Sequence, residues 1–153
     1  MKPPEPFRYF LRVRYGECDA QKVVFNARYG DYMDAASAEF IRALGFGAQM
    51  VDGRLDYQLV KQSIEWASPA QFDEVLAIAV QAGRIGNTSF SLTFDFASAD
   101  GGRHIAASET IYVVVDASLN KQPVPDDFRQ ALEQGARGAC VDHAGWFAND
   151  RRS

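Results

Sequence analysis

Apolar and polar positions alternate with a period of two from residue 7 to 15, which puts Tyr9, Leu11, Val13 and Tyr15 on one face and Arg8, Phe10, Arg12 and Arg14 on the other. That alternation predicts a half-buried strand whose Arg residues face solvent or a partner subunit. The period then lengthens. Tyr29, Tyr32, Met33, Ala36, Phe40, Ala43 and Leu44 share one arc at helical spacing, with Asp31, Asp34, Ala38 and Arg42 opposite. Asn26 is the candidate N-cap, Asp31 adds negative charge near the helix start, and Gly45 followed by Phe46-Gly47 predicts the stop.

From residue 55 onward the chain reads as extended segments at 56–66, 75–85, 89–96 and 104–116. Gly86-Asn87 and Asp100-Gly101 are hairpin signals, so the last three strands are expected to be consecutive and antiparallel. Residues 75–80 are apolar on both sides, as suits a strand central to the sheet or at a subunit interface. Pro123 and Pro125 end the sheet region, and Pro125 starts a short helix through about Gln134. One long helix followed by antiparallel strands is an α+β plan in which the sheet wraps the helix so that both are buried. The expected organisation is one domain over 1–153, with 1–6 and about 136–153 as peripheral tails, Trp146 and Phe147 docking on the body or on a neighbour.

Composition narrows the class of partner. The chain has 153 residues, 47% hydrophobic and 24% charged, enough to bury a core as one domain. A net charge of −4 argues against nucleic acid as the main partner, because phosphate binding needs a basic face. Residues 1–6 lack an apolar run and no later segment approaches membrane-spanning length, so the expected location is the cytoplasm, with no membrane span. Cys18 and Cys140 are then expected as free thiols.

Candidate chemistry gathers between the first strand and the helix, in residues 15–29. A helix N-terminus offers unpaired N–H groups and partial positive charge, and Asp19 places a carboxylate beside it. Taken alone, an Asp in a Gly-containing turn is more often a turn residue than a catalyst. His104 and His143 lie far apart and the two cysteines form no Cys-x-x-Cys pair, so zinc-type spacing is absent, as are a nucleophile elbow and phosphate-binding glycine loops. Cys18 lacks a neighbouring His to generate a thiolate and reads as an inert thiol. Glu17 reads as a solvated charge, and Glu39 sits near the polar edge of the helix.

The run Val13-Arg14-Tyr15-Gly16-Glu17-Cys18-Asp19, then Val23-Val24-Phe25-Asn26-Ala27-Arg28-Tyr29 and Tyr32-Met33-Asp34-Ala35-Ala36, resembles the hotdog-fold acyl-CoA thioesterases of the 4-hydroxybenzoyl-CoA thioesterase type. The resemblance continues more weakly through Trp66-Ala67-Ser68-Pro69-Ala70-Gln71-Phe72-Asp73-Glu74 and fades after about Val115. It implies the hotdog fold, an antiparallel sheet wrapped around one long central helix, with a short C-terminal helix added here. It further implies that Asp19 is the catalytic carboxylate and that the Asn26 N–H helps bind the thioester oxygen. Two positions depart from the family: Lys22 stands where many members have Gly, a residue used there for a backbone angle that Lys adopts at a cost, and Asn26 stands where many have His or Tyr.

The expected activity is therefore hydrolysis of an acyl-CoA thioester to a carboxylic acid and free coenzyme A, with Asp19 as nucleophile or general base. The acyl chain is expected beside Tyr29, Tyr32 and Met33. The family likeness places the coenzyme A portion near Thr88 and Ser89, with Arg84 close enough to meet a phosphate. Neither metal nor cofactor is expected, coenzyme A being part of the substrate, and the assembly implied is a homodimer or homotetramer. A hotdog hydratase or dehydratase acting on enoyl or 3-hydroxyacyl thioesters is the enzyme alternative, although such enzymes pair their carboxylate with a His and none lies before His104. A non-catalytic acyl-thioester binding module is the other.

Overall fold

The computed structural model describes residues 4–149. Six strands form one sheet in the order β2-β5-β4-β3-β1-β6: β1 (Phe7–Arg12), β2 (Tyr57–Trp66), β3 (Val75–Ile85), β4 (Ser89–Ser98), β5 (His104–Val114) and β6 (Cys140–Asp142). All neighbours are antiparallel except β1 and β6, which run parallel. Four helices complete the chain: α1 (Arg28–Ala43), α2 (Gly47–Asp52), α3 (Asp126–Gln134) and α4 (Trp146–Asn149).

Strand register explains the core. Tyr9 pairs with Ile78, Ile78 with Phe96, Phe96 with Ala106 and Ala106 with Trp66, so one row of side chains crosses five strands on the helix side. Tyr29 of α1 meets this row, its ring 5.5 Å from Phe96 and 5.8 Å from Trp66. One turn further into the sheet, Phe7 packs on Phe40 of α1 at 5.6 Å. Phe90 and Phe46 close on Phe128 of α3 at 5.3 and 5.1 Å, which seals the far end of the helix–sheet layer. Side chains of this size each contribute several kcal/mol of burial, and truncating one to Ala costs roughly 3–5 kcal/mol. The helix-facing side of β4 is apolar at Phe90, Leu92, Phe94 and Phe96, whereas β5 presents Ser108 and Thr110 in the matching rows. Toward the β2 edge the interior thus becomes more polar, and β2 itself is exposed along most of its length.

Several sequence expectations need correction. β1 ends at Arg12, not at Tyr15: the Val13 N–H donates to the Glu74 carbonyl at 2.9 Å, and Tyr15–Glu17 form one 3₁₀ turn that carries Tyr15 out to solvent at 74% exposure. Phe10, expected on the polar face, is 2% exposed because Phe147 of α4 covers it at 5.0 Å and the Arg8 guanidinium lies over its ring. Asn26 is not the N-cap. Ala27 holds that position in helical geometry with no side-chain cap, because the chain enters α1 through a tight turn in which the Arg28 N–H donates to the Phe25 carbonyl. Ala43 is exposed and Ile41 takes the buried place, a difference of half a turn in the apolar arc. α2 has no counterpart in the expected elements, since the Gly45-Phe46-Gly47 stop only separates it from α1.

The segment after Ala136 is part of the body. β6 extends the sheet beside β1, and the His143 N–H donates to the Phe10 carbonyl at 3.0 Å. No helix among the described residues is long and apolar enough to cross a membrane.

Candidate active site

Residues 18–24 form a small hairpin. Cys18 bridges Val24, the Asp19 N–H donates to the Val23 carbonyl at 2.9 Å, and the Lys22 N–H returns to the Asp19 carbonyl at 3.0 Å. Lys22 has φ of 62°, in the left-handed region that favours Gly, so the departure noted in the sequence falls on a residue under backbone strain. The hairpin is sewn to the connection between β2 and β3: the Val24 N–H donates to Ala70, the Phe72 N–H to Lys22, and Val23 bridges Gln71. Arg103 braces that connection from β5's approach, donating to Ser68 Oγ, the Pro69 carbonyl and Glu74. Burial would raise the Glu74 carboxyl, but bonds from Arg103 and the Gln71 N–H hold it below the usual range.

Asp19 is exposed at the hairpin tip, with one carboxylate oxygen accepting the Gln21 N–H at 2.8 Å. Its other oxygen has no hydrogen-bond partner among the described residues. Asn26 lies just before α1, also exposed, and its N–H has no partner among the described residues, since helical bonding begins with the N–H groups of Arg28 and Tyr29. A carboxylate with a free oxygen and a helix entrance with a free N–H are therefore set on one loop, seven positions apart in the chain.

The neighbouring acid, Glu17, is not a solvated charge. Its side chain is 12% exposed, and Oε1 accepts both the Arg14 N–H at 2.8 Å and the Tyr32 hydroxyl at 2.9 Å. Sequence reasoning missed this link because nothing in the spacing of Glu17 and Tyr32 pairs a loop carboxylate with a helix hydroxyl. Cys18 is raised above the usual thiol range by burial and by the Glu17 and Asp19 charges, which suits an inert thiol rather than a nucleophile.

Tyr29, Tyr32 and Met33 lie in the core at 2%, 4% and 2% exposure, so within one chain they back the helix and offer little surface to a ligand. Arg84, Thr88 and Ser89 do come together: with Gly86, Asn87 and Glu109 they line a cavity of about 480 Å³. That cavity lies at the last residues of β3, whereas the Asp19 hairpin is sewn beside its first. Eleven residues of strand separate the two ends, which at the rise of a strand is about 35 Å. His104 is exposed at the start of β5, and His143 Nδ1 sits 2.9 Å from the Tyr9 hydroxyl.

Comparison with known proteins fits this geometry. Residues 13–132 match the model of the thioesterase-like superfamily, and the chain belongs to that family. It has the hotdog fold and is an enzyme of the thioester-hydrolase class. A putative esterase of Aquifex aeolicus is 30% identical over 58% of this chain and 70% of its own length. The acyl-CoA thioester hydrolase YbgC of Escherichia coli is 29% identical over 72% of this chain and 82% of its own. Among solved structures, a gentisyl-coenzyme A thioesterase superposes with a TM-score of 0.73 at 27% identity, covering 82% of this chain and 98% of that one.

Proposed function

We propose that the chain hydrolyses acyl-CoA thioesters to a carboxylic acid and free coenzyme A. The observation that supports this most directly is the placement, on one loop, of an exposed Asp19 oxygen and the Asn26 N–H at the entrance to α1, both without a hydrogen-bond partner among the described residues. Asp19 takes a proton from water, or itself attacks, as the new C–O bond forms at the thioester carbonyl. The carbonyl oxygen gains negative charge and is stabilised by the Asn26 N–H and the positive end of the α1 dipole. Collapse breaks the C–S bond and coenzyme A leaves as the thiolate, which takes up the proton that Asp19 removed from water; on the nucleophilic route, water then hydrolyses the acyl–Asp19 anhydride to the carboxylic acid and restores the carboxylate. The relatives' names favour coenzyme A as the carrier: YbgC of Escherichia coli is named for acyl-CoA, and a Nostoc punctiforme protein, 27% identical over 87% of this chain and 90% of its own length, for 1,4-dihydroxy-2-naphthoyl-CoA.

The Arg84, Thr88 and Ser89 cavity takes the coenzyme A portion, its guanidinium facing phosphate. Because that cavity lies a strand's length from Asp19, the substrate bridges Asp19 of one subunit and the cavity of another, and the functional unit is at least a homodimer. The free cysteines suit a reducing cytoplasm. The test is thiol release from a panel of acyl-CoA esters with Asp19→Asn, a change that keeps the turn's Oδ1 acceptor. Loss of nearly all release is expected, at least a hundredfold in kcat for removal of the base. Wild-type turnover by Asp19→Asn would overturn the assignment, and hydration of enoyl-CoA without thiol release would replace hydrolysis by the hydratase reading.

A further inference from the structure

Glu17 holds both halves of the candidate site. Two residues before Asp19, its carboxylate Oε1 accepts the hydroxyl of Tyr32 at 2.9 Å, which ties the base of the hairpin to the second turn of α1. Its backbone carbonyl accepts the Phe25 N–H at 3.0 Å, which fixes the residue before Asn26. Oε1 also accepts the Arg14 N–H at 2.8 Å, closing the 3₁₀ turn that redirects the chain out of β1. The other bonds that anchor the hairpin from 18 to 24 run within it, back to Arg14 and Tyr15, or to residues 70–72, of which Ala70 donates its N–H to the Tyr29 hydroxyl of α1 at 3.4 Å. Among the described residues, the Tyr32–Glu17 bond is the side-chain link between this loop and the helix whose N-terminus would receive the oxyanion.

The link is well made. Tyr32 is 4% exposed and its ring lies 6.0 Å from that of Tyr29, so its hydroxyl has little freedom to move. Burial and the bond to Glu17 raise its hydroxyl well above the usual tyrosine range, so it stays a donor across the working pH. The ion pair from Glu17 Oε2 to Arg14, at 3.2 Å, is made to a side chain 80% exposed and adds little. The strength of the brace lies in Oε1.

We propose that Glu17 is a positioning residue for hydrolysis, setting the Asp19 carboxylate relative to the Asn26 N–H through the Tyr32 hydroxyl. The inference rests on the reading of Asp19 as the catalytic carboxylate. It assigns Glu17 no proton transfer: both its acceptor roles need an oxygen, not a charge. Gln offers the same Oε1 acceptor, and this separates positioning from chemistry.

The experiment measures kcat and KM for thiol release, with melting temperatures, for Glu17→Ala, Glu17→Gln, Tyr32→Phe and Asp19→Asn. Displacement of a reacting group by about 1 Å costs on the order of 10²-fold, so Glu17→Ala is expected to lower kcat by about 10–100-fold with KM held within about threefold. Glu17→Gln recovers most of that loss, and Tyr32→Phe lowers kcat in the same direction by a smaller factor. Glu17→Gln as inactive as Glu17→Ala would overturn the proposal, because the charge itself would then be needed. So would unchanged kcat in both Glu17→Ala and Tyr32→Phe with only the melting temperature lowered, which marks a purely structural brace. Should Glu17→Ala fail to fold, Tyr32→Phe decides alone, a fall in kcat at constant KM supporting the proposal and no change overturning it. Asp19→Asn separates the two levels: if it is inactive while the Glu17 and Tyr32 variants turn over normally, positioning fails and the catalytic reading stands. If it is fully active, both fall.

Discussion

At the scale of the residue, the loop divides its donors and acceptors between structure and chemistry. Asp19 spends one oxygen on Gln21 and Glu17 spends its carboxylate on Arg14 and Tyr32, while the Asn26 N–H has no partner among the described residues. Asn26 therefore offers a clean separation of side chain from backbone. Since its side chain caps nothing, Asn26→Ala is expected to cost a few tenths of a kcal/mol, well below the ~1 kcal/mol of a lost N-cap, and to keep most of the rate. Asn26→Pro deletes a donor that has no partner among the described residues, so it breaks no hydrogen bond seen there. It is expected to lower kcat by on the order of 10²–10³, the usual cost of one oxyanion donor. Steady-state thiol release and circular dichroism on both variants check this. A folded Pro variant with normal turnover places the oxyanion elsewhere. The backbone strain at Lys22 was legible from the sequence because Lys departs there from a known run of residues, and its φ of 62° shows the physical reason that run favours Gly. The Glu17–Tyr32 bond was not, because it joins a loop to a helix face through a contact that neither period records.

At the scale of the element, the legible parts were those with a strong local signal. The β3, β4 and β5 hairpins follow from Gly86-Asn87 and Asp100-Gly101, and the start of β3 at Val75 and its end at Ile85 match the apolar run. β6 was illegible for the opposite reason: Cys140-Val141-Asp142 is three residues long, and its pairing with β1 spans almost the whole chain. The end segment is held by Asp142, whose carboxylate accepts the N–H groups of Ala144, Trp146 and Phe147 at 3.0–3.1 Å. Burial alone would raise that carboxyl, but these backbone donors outweigh it and hold the group below the usual Asp range. A depressed carboxyl contributes stability above its unfolded pKa, about 3.9, and loses it as pH falls through the lower folded value. Docking of α4 is therefore expected to be intact at neutral pH and to weaken only in acid, below about pH 4. Hydrogen exchange of residues 140–148 as a function of pH checks this, with Asp142→Asn expected to expose the segment already at pH 7 and to remove its acid transition. Protection independent of pH in both proteins would show that Phe147 on Phe10 holds the segment by itself.

At the scale of the whole molecule, the Asp19 hairpin and the Arg84 cavity lie toward opposite ends of β3. The β2 edge supplies a surface on which two chains can meet. Leu59, Val60 and Trp66 are 47%, 57% and 46% exposed along it, and the interior behind them is polar at Ser108 and Thr110, unlike the aromatic rows over β4. An exposed edge strand with apolar side chains calls for a partner. If two copies join there with two-fold symmetry, each active site takes Asp19 from one subunit and the cavity from the other. Mixing defective chains tests that directly. Asp19→Ala and Arg84→Ala are each expected to lower turnover on their own, the first by loss of the carboxylate and the second by weaker coenzyme A binding. After the two are unfolded and refolded together, half of the dimers contain one chain of each kind, and one site in each such dimer has an intact Asp19 facing an intact Arg84. Random two-fold pairing then predicts recovery to about a quarter of wild-type turnover. Recovery at that level, with a dimer mass by light scattering, establishes a site shared between subunits. A mixture no more active than the mean of its parts would mean that each chain carries its own complete site, and that the cavity at Arg84, Thr88 and Ser89 serves something other than the thioester that Asp19 attacks.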